Sequence, residues 1–433
     1  MEPAPHDARP TCAIATLGCK VNQYESQAIR ELMAAAGYRM VPVGQRADVT
    51  IVNTCAVTQV AARKSRQRLY EAMRANPSGR LVATGCLVES DEAHVLASRA
   101  LLVPRRFAVR LPEILRTGRI PDAPASIFDL RISTFAGHAR AFLKIQDGCD
   151  SCCAYCIVPR LRGPVVSRPL PDILAEACRL TARGYRELVL TGIHLGAYGR
   201  DAPGGPVLED VVEALLGVTG IERLRLSSIE PNEVSERLLA LMGGSGRLCP
   251  HLHLPLQSGD DDVLRVMNRR YTATQYLAMV ARIKEAVPLV SLTTDILVGF
   301  PGESEAAFQR TLAVCRTVGF SRMHVFPFSP RPGTVAANLP GRVPPPVIRR
   351  RLHEAEATAR GLALTYKRQF VGSVVEPLVE NCARGGSEGE LSGYTERYLR
   401  VVFTGERGLM GRVVRVRATH ADYDALRGTL LTS

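Results

Sequence analysis

No apolar stretch in this 433-residue sequence is longer than a strand. A membrane span needs roughly 18 to 20 consecutive apolar residues, so an integral membrane protein is excluded. The opening MEPAPHDARP has no apolar core of the kind a secretory leader carries, and no export signal is read there. The phosphate-binding pattern GxxxxGK(S/T) is also missing, which removes the simplest route to nucleoside triphosphate chemistry. Lysine is scarce: five stand against 50 arginines in a basic total of 55, with 42 acidic residues and a net charge of +13. Arginine forks suit phosphate. The chain is also rich in alanine, glycine and proline, a bias that the base composition of the coding DNA can produce, so the charge permits a nucleic-acid partner without requiring one.

Cysteine, by contrast, is plentiful, with twelve residues. In a chain read as cytoplasmic, clustered cysteines bind metal or react more often than they form disulfides. A hydrophobic content of 46% against 22% charge is that of a folded protein, and the length suits two or three domains.

The first ten residues, with three prolines, read as a disordered tail. Three apolar runs then end in cysteine: AIATLGC (13–19), VTIVNTC (49–55) and RLVATGC (80–86). The first is followed by a helical pattern in which Ile29, Leu32, Met33 and Ala36 share one face before Gly37. Strand followed by helix, repeated, predicts an open parallel α/β sheet, and parallel strands gather their C-terminal ends along one edge. Cys19, Cys55 and Cys86 are therefore expected to converge. A linker is placed at 121–140, which lacks periodicity. Beyond it AFLKIQ, ELVLTG, RLRLSS, HLHLPL, LTTDILVGF and RMHVFPFS alternate with helical patterns, as in a partial or complete (β/α) barrel, and GRDAPGGP (199–206) reads as a flexible loop. After about residue 366, short strands parted by NCARGGSEGE and TGERG predict a small all-β module. The expected domains are 11–125, 135–365 and 366–433.

The sharpest local motif is DGCDSCCAYC at 147–156, directly after the AFLKIQ strand. Cys149, Cys153 and Cys156 in one compact loop can hold three irons of a cubane cluster and leave the fourth open to another ligand. The same loop contains two Cys-x-x-Cys pairs, Cys149 with Cys152 and Cys153 with Cys156, which could instead make an all-thiolate zinc site. Zinc ribbons separate their pairs by more than a dozen residues, whereas here the pairs abut and the adjacent Cys152 and Cys153 would have to turn onto the same metal.

With this spacing the chain resembles the radical S-adenosylmethionine (SAM) superfamily. The fuller string GCDSCCAYCIVPRLRG, together with the three upstream cysteines, resembles its methylthiotransferases over roughly residues 11–433. The resemblance implies an N-terminal methylthiotransferase domain with an auxiliary cluster on Cys19, Cys55 and Cys86. It implies a radical SAM barrel with a second cluster on Cys149, Cys153 and Cys156, and a C-terminal TRAM barrel that binds RNA. The cofactors are then two [4Fe-4S] clusters and SAM. The motifs LTGIHLGAYG, SSIEP, HLHLPLQSGDD, MNRRY, DILVGFPGE and HVFPFSPRPGT follow in the family's order. From them Tyr155 is expected near the adenine of SAM, Gly192 near its methionyl group, and Gln257, Arg269 and Asp295 along the pocket. No catalytic side chain is assigned. His194, His251, His253 and His324 read as wall residues, and Cys12, Cys152, Cys178, Cys249, Cys315 and Cys382 as core or incidental thiols.

TLGCKVNQYES and NTCAVTQVAARKSRQ most resemble the MtaB-type branch, which modifies N6-threonylcarbamoyladenosine beside the tRNA anticodon. By that resemblance a deoxyadenosyl radical takes hydrogen from C2 of the adenine and a methylthio group replaces it. The partners are the tRNA anticodon loop, an electron donor and a sulfur source. The basic run Arg63, Lys64, Arg66 and Arg68 can meet phosphates or be a solvated helix face. Residues 366–433 hold ten basic and eight acidic residues, so RNA contact is expected to be shared with the preceding basic helix and the barrel. The stretch 90–116 lacks the glycine-containing turn expected of relatives. The alternatives are a methylthiotransferase for isopentenyladenosine tRNA or a ribosomal-protein side chain, and a non-catalytic zinc-bound RNA-binding protein. Oligomeric state is not readable.

Overall fold

The structure, a computed structural model, describes residues 9–382 and 389–431. The expected tail lies outside the described residues except for Arg9 and Pro10, as does most of the turn at 381–390. The chain forms two compact units. One runs to Ala136 and includes Gly148–Asp150 and Cys156–Pro164; the other takes Gly137–Asp147, Ser151–Tyr155 and the chain from Val165 onward.

In the N-terminal unit, β1 (Thr11–Thr16), β2 (Arg39–Met40), β3 (Val49–Thr54), β4 (Arg80–Gly85) and β5 (Leu101–Leu102) form one parallel sheet in the order β2-β1-β3-β4-β5. The central strands are buried on both faces, which is why they read as continuous apolar runs rather than alternating ones. Helix α1 (Lys20–Ala35) follows β1, and α2 (Gln59–Ala75) follows β3 with the Thr58 hydroxyl accepting from the Ala61 amide as N-cap. The buried face of α1 is Val21, Tyr24, Ala28, Ile29 and Met33; Leu32 is only half-buried and Ala36 is exposed, so the apolar stripe begins a turn earlier than the sequence periodicity suggested. Within the stretch 90–116, β5 contributes only two paired residues, and α3 (Leu111–Thr117) packs through Leu111, Ile114 and Leu115. Gly118, left-handed at φ +71°, ends α3.

The segment at 121–140 has no helix or long strand, yet it is fastened to α1. The Tyr24 hydroxyl donates to the Leu130 carbonyl, and the Glu31 carboxylate accepts from the backbone amides and hydroxyls of Ser133 and Thr134. Phe128, Leu130, Ile132 and Phe135 are buried. Lack of periodicity here marks an extended strap that packs one side chain at a time.

In the second unit all six expected barrel strands are present: β6 (Ala141–Lys144), then, after the short antiparallel pair β7 (Gln146–Asp147) and β8 (Val166–Ser167), β9 (Glu187–Thr191), β10 (Arg223–Leu226), β11 (His251–His253), β12 (Ser291–Val298) and β13 (Arg322–Pro327). They run parallel in the order β6-β9-β10-β11-β12-β13, with bridges Leu224–Leu248 and Ser228–His253 joining the halves. No pairing among the described residues joins β6 to β13, so the barrel is open. The long helix Pro345–Arg368 packs beside β13 and leads to a curled six-stranded sheet: β14 (Val374–Val375), β15 (Leu378–Cys382), β16 (Glu390–Tyr394), β17 (Arg400–Thr404), β18 (Val416–Ala421) and β19 (Leu426–Leu430).

This module closes the barrel end that carries the strand starts. Arg225 donates to Glu187 at 2.7 Å and to the Glu396 and Thr395 carbonyls, while Arg140 bridges Glu187 and Glu380 and lies over the Tyr394 and Tyr398 rings. Glu187 is buried, which alone would raise its pKa, but Arg225 and Arg140 hold it below the ordinary carboxylate value. The C-terminal strand ends, where (β/α) barrels work, are left for chemistry.

Candidate metal centres

Cys19 is the N-cap residue of α1, Cys55 follows β3 and Cys86 follows β4, so all three stand at the C-terminal edge of the parallel sheet. Cys55 and Cys86 are 6% and 2% exposed, and Cys19 is open to solvent. Burial, with a smaller push from the neighbouring Cys86 and Cys19, raises the Cys55 thiol to about 11. Burial likewise raises Cys86, with Arg162 and Arg105 pulling it back and Cys19 adding to the rise. The three sulfurs thus share one electrostatic environment. Close approach is built into the backbone. A Cβ on Gly18 (φ +101°) would fall 2.9 Å from the Cys55 Cβ and 3.0 Å from its Sγ.

Polar residues that no local pattern announces brace the site. Asn22 is fully buried, and its amide donates to the Leu17 carbonyl at 2.7 Å and to the Thr54 carbonyl at 2.9 Å. Its carbonyl oxygen accepts from Arg162 at 2.6 Å. The Ser65 hydroxyl on α2 accepts from the Cys55 amide at 2.9 Å and donates to the Cys55 carbonyl at 2.8 Å. Arg162 and Arg105 both face Glu25, at 3.3 and 3.6 Å. Three deprotonated thiols carry negative charge, and two buried guanidinium groups beside them supply the compensation. The donor set and the cradle fit an iron–sulfur cluster with three thiolate ligands.

Cys149, Cys153 and Cys156 lie half-buried on the loop that follows β6 and β7, whereas Cys152 is exposed. The Cys149 amide donates to Gly163, and Gly148 (φ +74°) lies so close to Pro164 that a Cβ would reach 1.7 Å from its carbonyl oxygen. In the second unit, the Ala154 amide donates to Met267, its carbonyl accepts from Ala336, and Asn268 donates to the Cys152 carbonyl. Arg269 reaches the Cys153 sulfur at 3.5 Å, pairs with Glu230 at 3.2 Å and lies over the Tyr271 ring.

The other expected pocket residues divide. Tyr155 packs against the apolar cluster of Ala154, Val263, Met267 and Phe300. Gly192 follows β9, and a Cβ there would press to 2.8 Å from the Gln146 amide oxygen. Gln257 adopts the left-handed region at φ +62°, a strained conformation for a non-glycine residue, between backbone hydrogen bonds to Asp295 and Leu297. The Asp295 carboxylate is engaged by His253 and His324. His194 pairs with Glu233 at 2.8 Å, and His251 faces Thr293 at 3.2 Å. Cys12, Cys249 and Cys315 are buried and pushed up to about 12 by that burial, as core thiols; Cys178 and Cys382 are exposed.

Of the basic run, Arg63 and Lys64 are exposed, Arg66 pairs with Glu92, and Arg68 pairs with Glu71. Arg63, Arg66, Tyr70, Arg74 and Arg99 line one groove, with Arg99 over the Tyr70 ring at 5.3 Å. The basic helix Pro345–Arg368 spends part of its charge internally, since Arg350 and Arg351 pair with Glu305 and Glu303.

Residues 11–103 match the family model described as uncharacterized protein family UPF0004, residues 143–315 the radical SAM superfamily and residues 368–431 the TRAM domain. The threonylcarbamoyladenosine tRNA methylthiotransferase MtaB of Bacillus subtilis is 36% identical over 95% of this chain and 94% of its own length. The MtaB of Chlamydia pneumoniae is 39% identical over 86% of this chain and 88% of its own. A tRNA-2-methylthio-N(6)-dimethylallyladenosine synthase of Cereibacter sphaeroides is 36% identical over 96% and 98%. Among solved structures, the radical SAM methyltransferase TsrM from Kitasatospora setae shares the fold with a TM-score of 0.56 at 12% identity, covering 76% of this chain and 77% of that one. No described helix is long and apolar enough to cross a membrane. With these identities sustained over nearly whole chains, the protein belongs to the radical SAM methylthiotransferase family.

Proposed function

We propose that this chain is a cytoplasmic tRNA methylthiotransferase that adds a methylthio group to C2 of N6-threonylcarbamoyladenosine beside the anticodon. The observation that carries the reading is the pairing of a three-cysteine sheet edge in one unit with a Cys-x-x-x-Cys-x-x-Cys loop after the first strand of an open (β/α) barrel. Cys19, Cys55 and Cys86 would hold one [4Fe-4S] cluster and Cys149, Cys153 and Cys156 the other. When bound, the clusters and SAM supply radical generation by reductive cleavage and the sulfur that is inserted.

The protein's own residues position and shield. Asn22 and Ser65 fix the backbone around the first cysteine group, and Arg162 and Arg105 offset its charge. Tyr155, Gly192, Gln257 and Arg269 would line the SAM pocket, Gly192 by letting backbone approach the ligand and Arg269 by holding its charge beside Cys153. A base in a single-stranded loop can be splayed into such a pocket with little unpairing cost. Arg63 and Lys64, with the groove that carries Tyr70 and Arg99, would meet anticodon-stem phosphates. An electron donor and a sulfur source are required partners. The functional domains would be 11–125, 135–365 and 366–433.

The dimethylallyladenosine synthases among the relatives make one rival substrate concrete. Nucleoside mass spectrometry of tRNA from a deletion strain decides. Loss of the methylthio form of threonylcarbamoyladenosine is expected, and loss of only the isopentenyl form would overturn the substrate assignment.

A further inference from the structure

The parallel ladder β11-β12-β13 pairs His253 with Thr293 and Asp295 with His324. Side chains two apart on a strand share a face, so Thr293 and Asp295 point to the same side, and their ladder partners His253 and His324 join them. The result is two imidazoles around one carboxylate. His253 Nε2 lies 3.4 Å from Asp295 Oδ2, and His324 Nδ1 lies 3.1 Å from Asp295 Oδ1. One ligand-capable atom from each of the three residues lies within 4.8 Å of the other two.

We propose that His253, Asp295 and His324 form a binding site for one divalent transition-metal ion, built from none of the six cysteines of the two groups. Two bonds of about 2.1 Å meeting at roughly 95 to 110° span each of the two histidine–carboxylate separations. Two imidazoles and one carboxylate suit Zn²⁺, Fe²⁺, Co²⁺ or Mn²⁺; they do not suit Ca²⁺, which asks for six or more oxygens. The far nitrogen of His253, Nδ1, is 3.0 Å from the Thr293 hydroxyl, a partner that holds the ring; with Nδ1 as the donor, Nε2 is free to ligate. The side chains are 15%, 28% and 40% exposed, so an ion can enter and keep positions open for water or another oxygen donor.

The test uses the full chain with both cysteine groups already occupied by iron–sulfur clusters, so that thiolates do not compete. One equivalent of Co²⁺ is added anaerobically, loosely held metal is removed by desalting, and cobalt is measured by elemental analysis and low-temperature electron paramagnetic resonance. About one retained equivalent is expected, falling roughly tenfold or more in Asp295→Asn and in His324→Ala while the iron content stays unchanged. Cys152→Ser, at an exposed thiol outside the proposed ligand sets, should retain the full equivalent. His324 is exposed enough that its truncation tests the site even where Asp295→Asn disturbs folding. Failure of the wild-type chain to retain cobalt, or retention in both ligand variants equal to that of the wild type, would show that the three residues form a hydrogen-bonded network only.

Discussion

Cys19, Cys55 and Cys86 come from three separate strand ends and are brought together by the sheet, whereas Cys149, Cys153 and Cys156 come from one loop whose spacing is written in the chain. The first group depends on the packing of the whole N-terminal unit, on Asn22 tying β1 to β3 and on Ser65 clamping Cys55. The second depends on turn chemistry at Gly148 and Gly163 and on supports such as Met267 and Asn268. A site distributed over a fold fails when the fold shifts; a local loop fails only when its own ligands or supports are lost.

The sharpest way to separate the two is Cys149→Ala, Cys153→Ala and Cys156→Ala together. Deoxyadenosine release with dithionite should fall to background and iron should drop by roughly half, with the iron on the sheet-edge group kept. Complete loss of iron would mean that the two groups are not independent.

Asn22→Ala attacks only the distributed group. It leaves buried carbonyls of Leu17 and Thr54 and the Arg162 guanidinium short of a partner, so a loss of about 2–4 kcal/mol in anaerobic urea unfolding is expected, together with loss of the N-terminal iron. SAM cleavage without tRNA should persist. A variant as stable as wild type would remove Asn22 from the account.

Two glycines sharpen the comparison further. Gly18→Ala combines a left-handed backbone with contact against Cys55 and should cost about 1–3 kcal/mol and the adjacent iron. Gly37→Ala, also at positive φ but with nothing within 4 Å, should cost only about 1–2 kcal/mol and leave iron intact. Equal iron loss in both would point to general destabilisation rather than a fitted cradle. The smallest effect is expected for Ser65→Ala, about 1 kcal/mol, from orphaning the Cys55 amide. Faster amide exchange at Cys55 checks it.

The parts of this design that follow a period or a spacing are legible in the chain. Runs ending in Cys19, Cys55 and Cys86 announce parallel strands, and parallel strands imply a shared edge, so the sheet site could be assembled on paper. The six barrel strands were legible for the same reason. Side chains fastened by distant partners were not. Glu31 holds Ser133 and Thr134 from about a hundred residues away, Asn22 meets Arg162, and the pairing of Arg351 with Glu303 turns an apparently RNA-facing charge inward. Asp295 was singled out by motif, but its ladder register, which sets its carboxylate between His253 and His324, was not. The sequence contains those residues but not the register, and a parallel pairing across long crossovers has no local mark. One mark was available: Asn22 and Glu25 stand within the first turns after Cys19 and are polar where the helix is buried.

The division of labour between the two groups is tested most directly in the variant Cys19→Ala, Cys55→Ala and Cys86→Ala. Iron content, deoxyadenosine release and methylthiolation of tRNA bearing threonylcarbamoyladenosine are measured on the same preparation. Roughly half the iron and continued SAM cleavage, with methylthiolation abolished, are predicted. Retained methylthiolation, or loss of cleavage in protein that still holds the loop iron, would contradict the account.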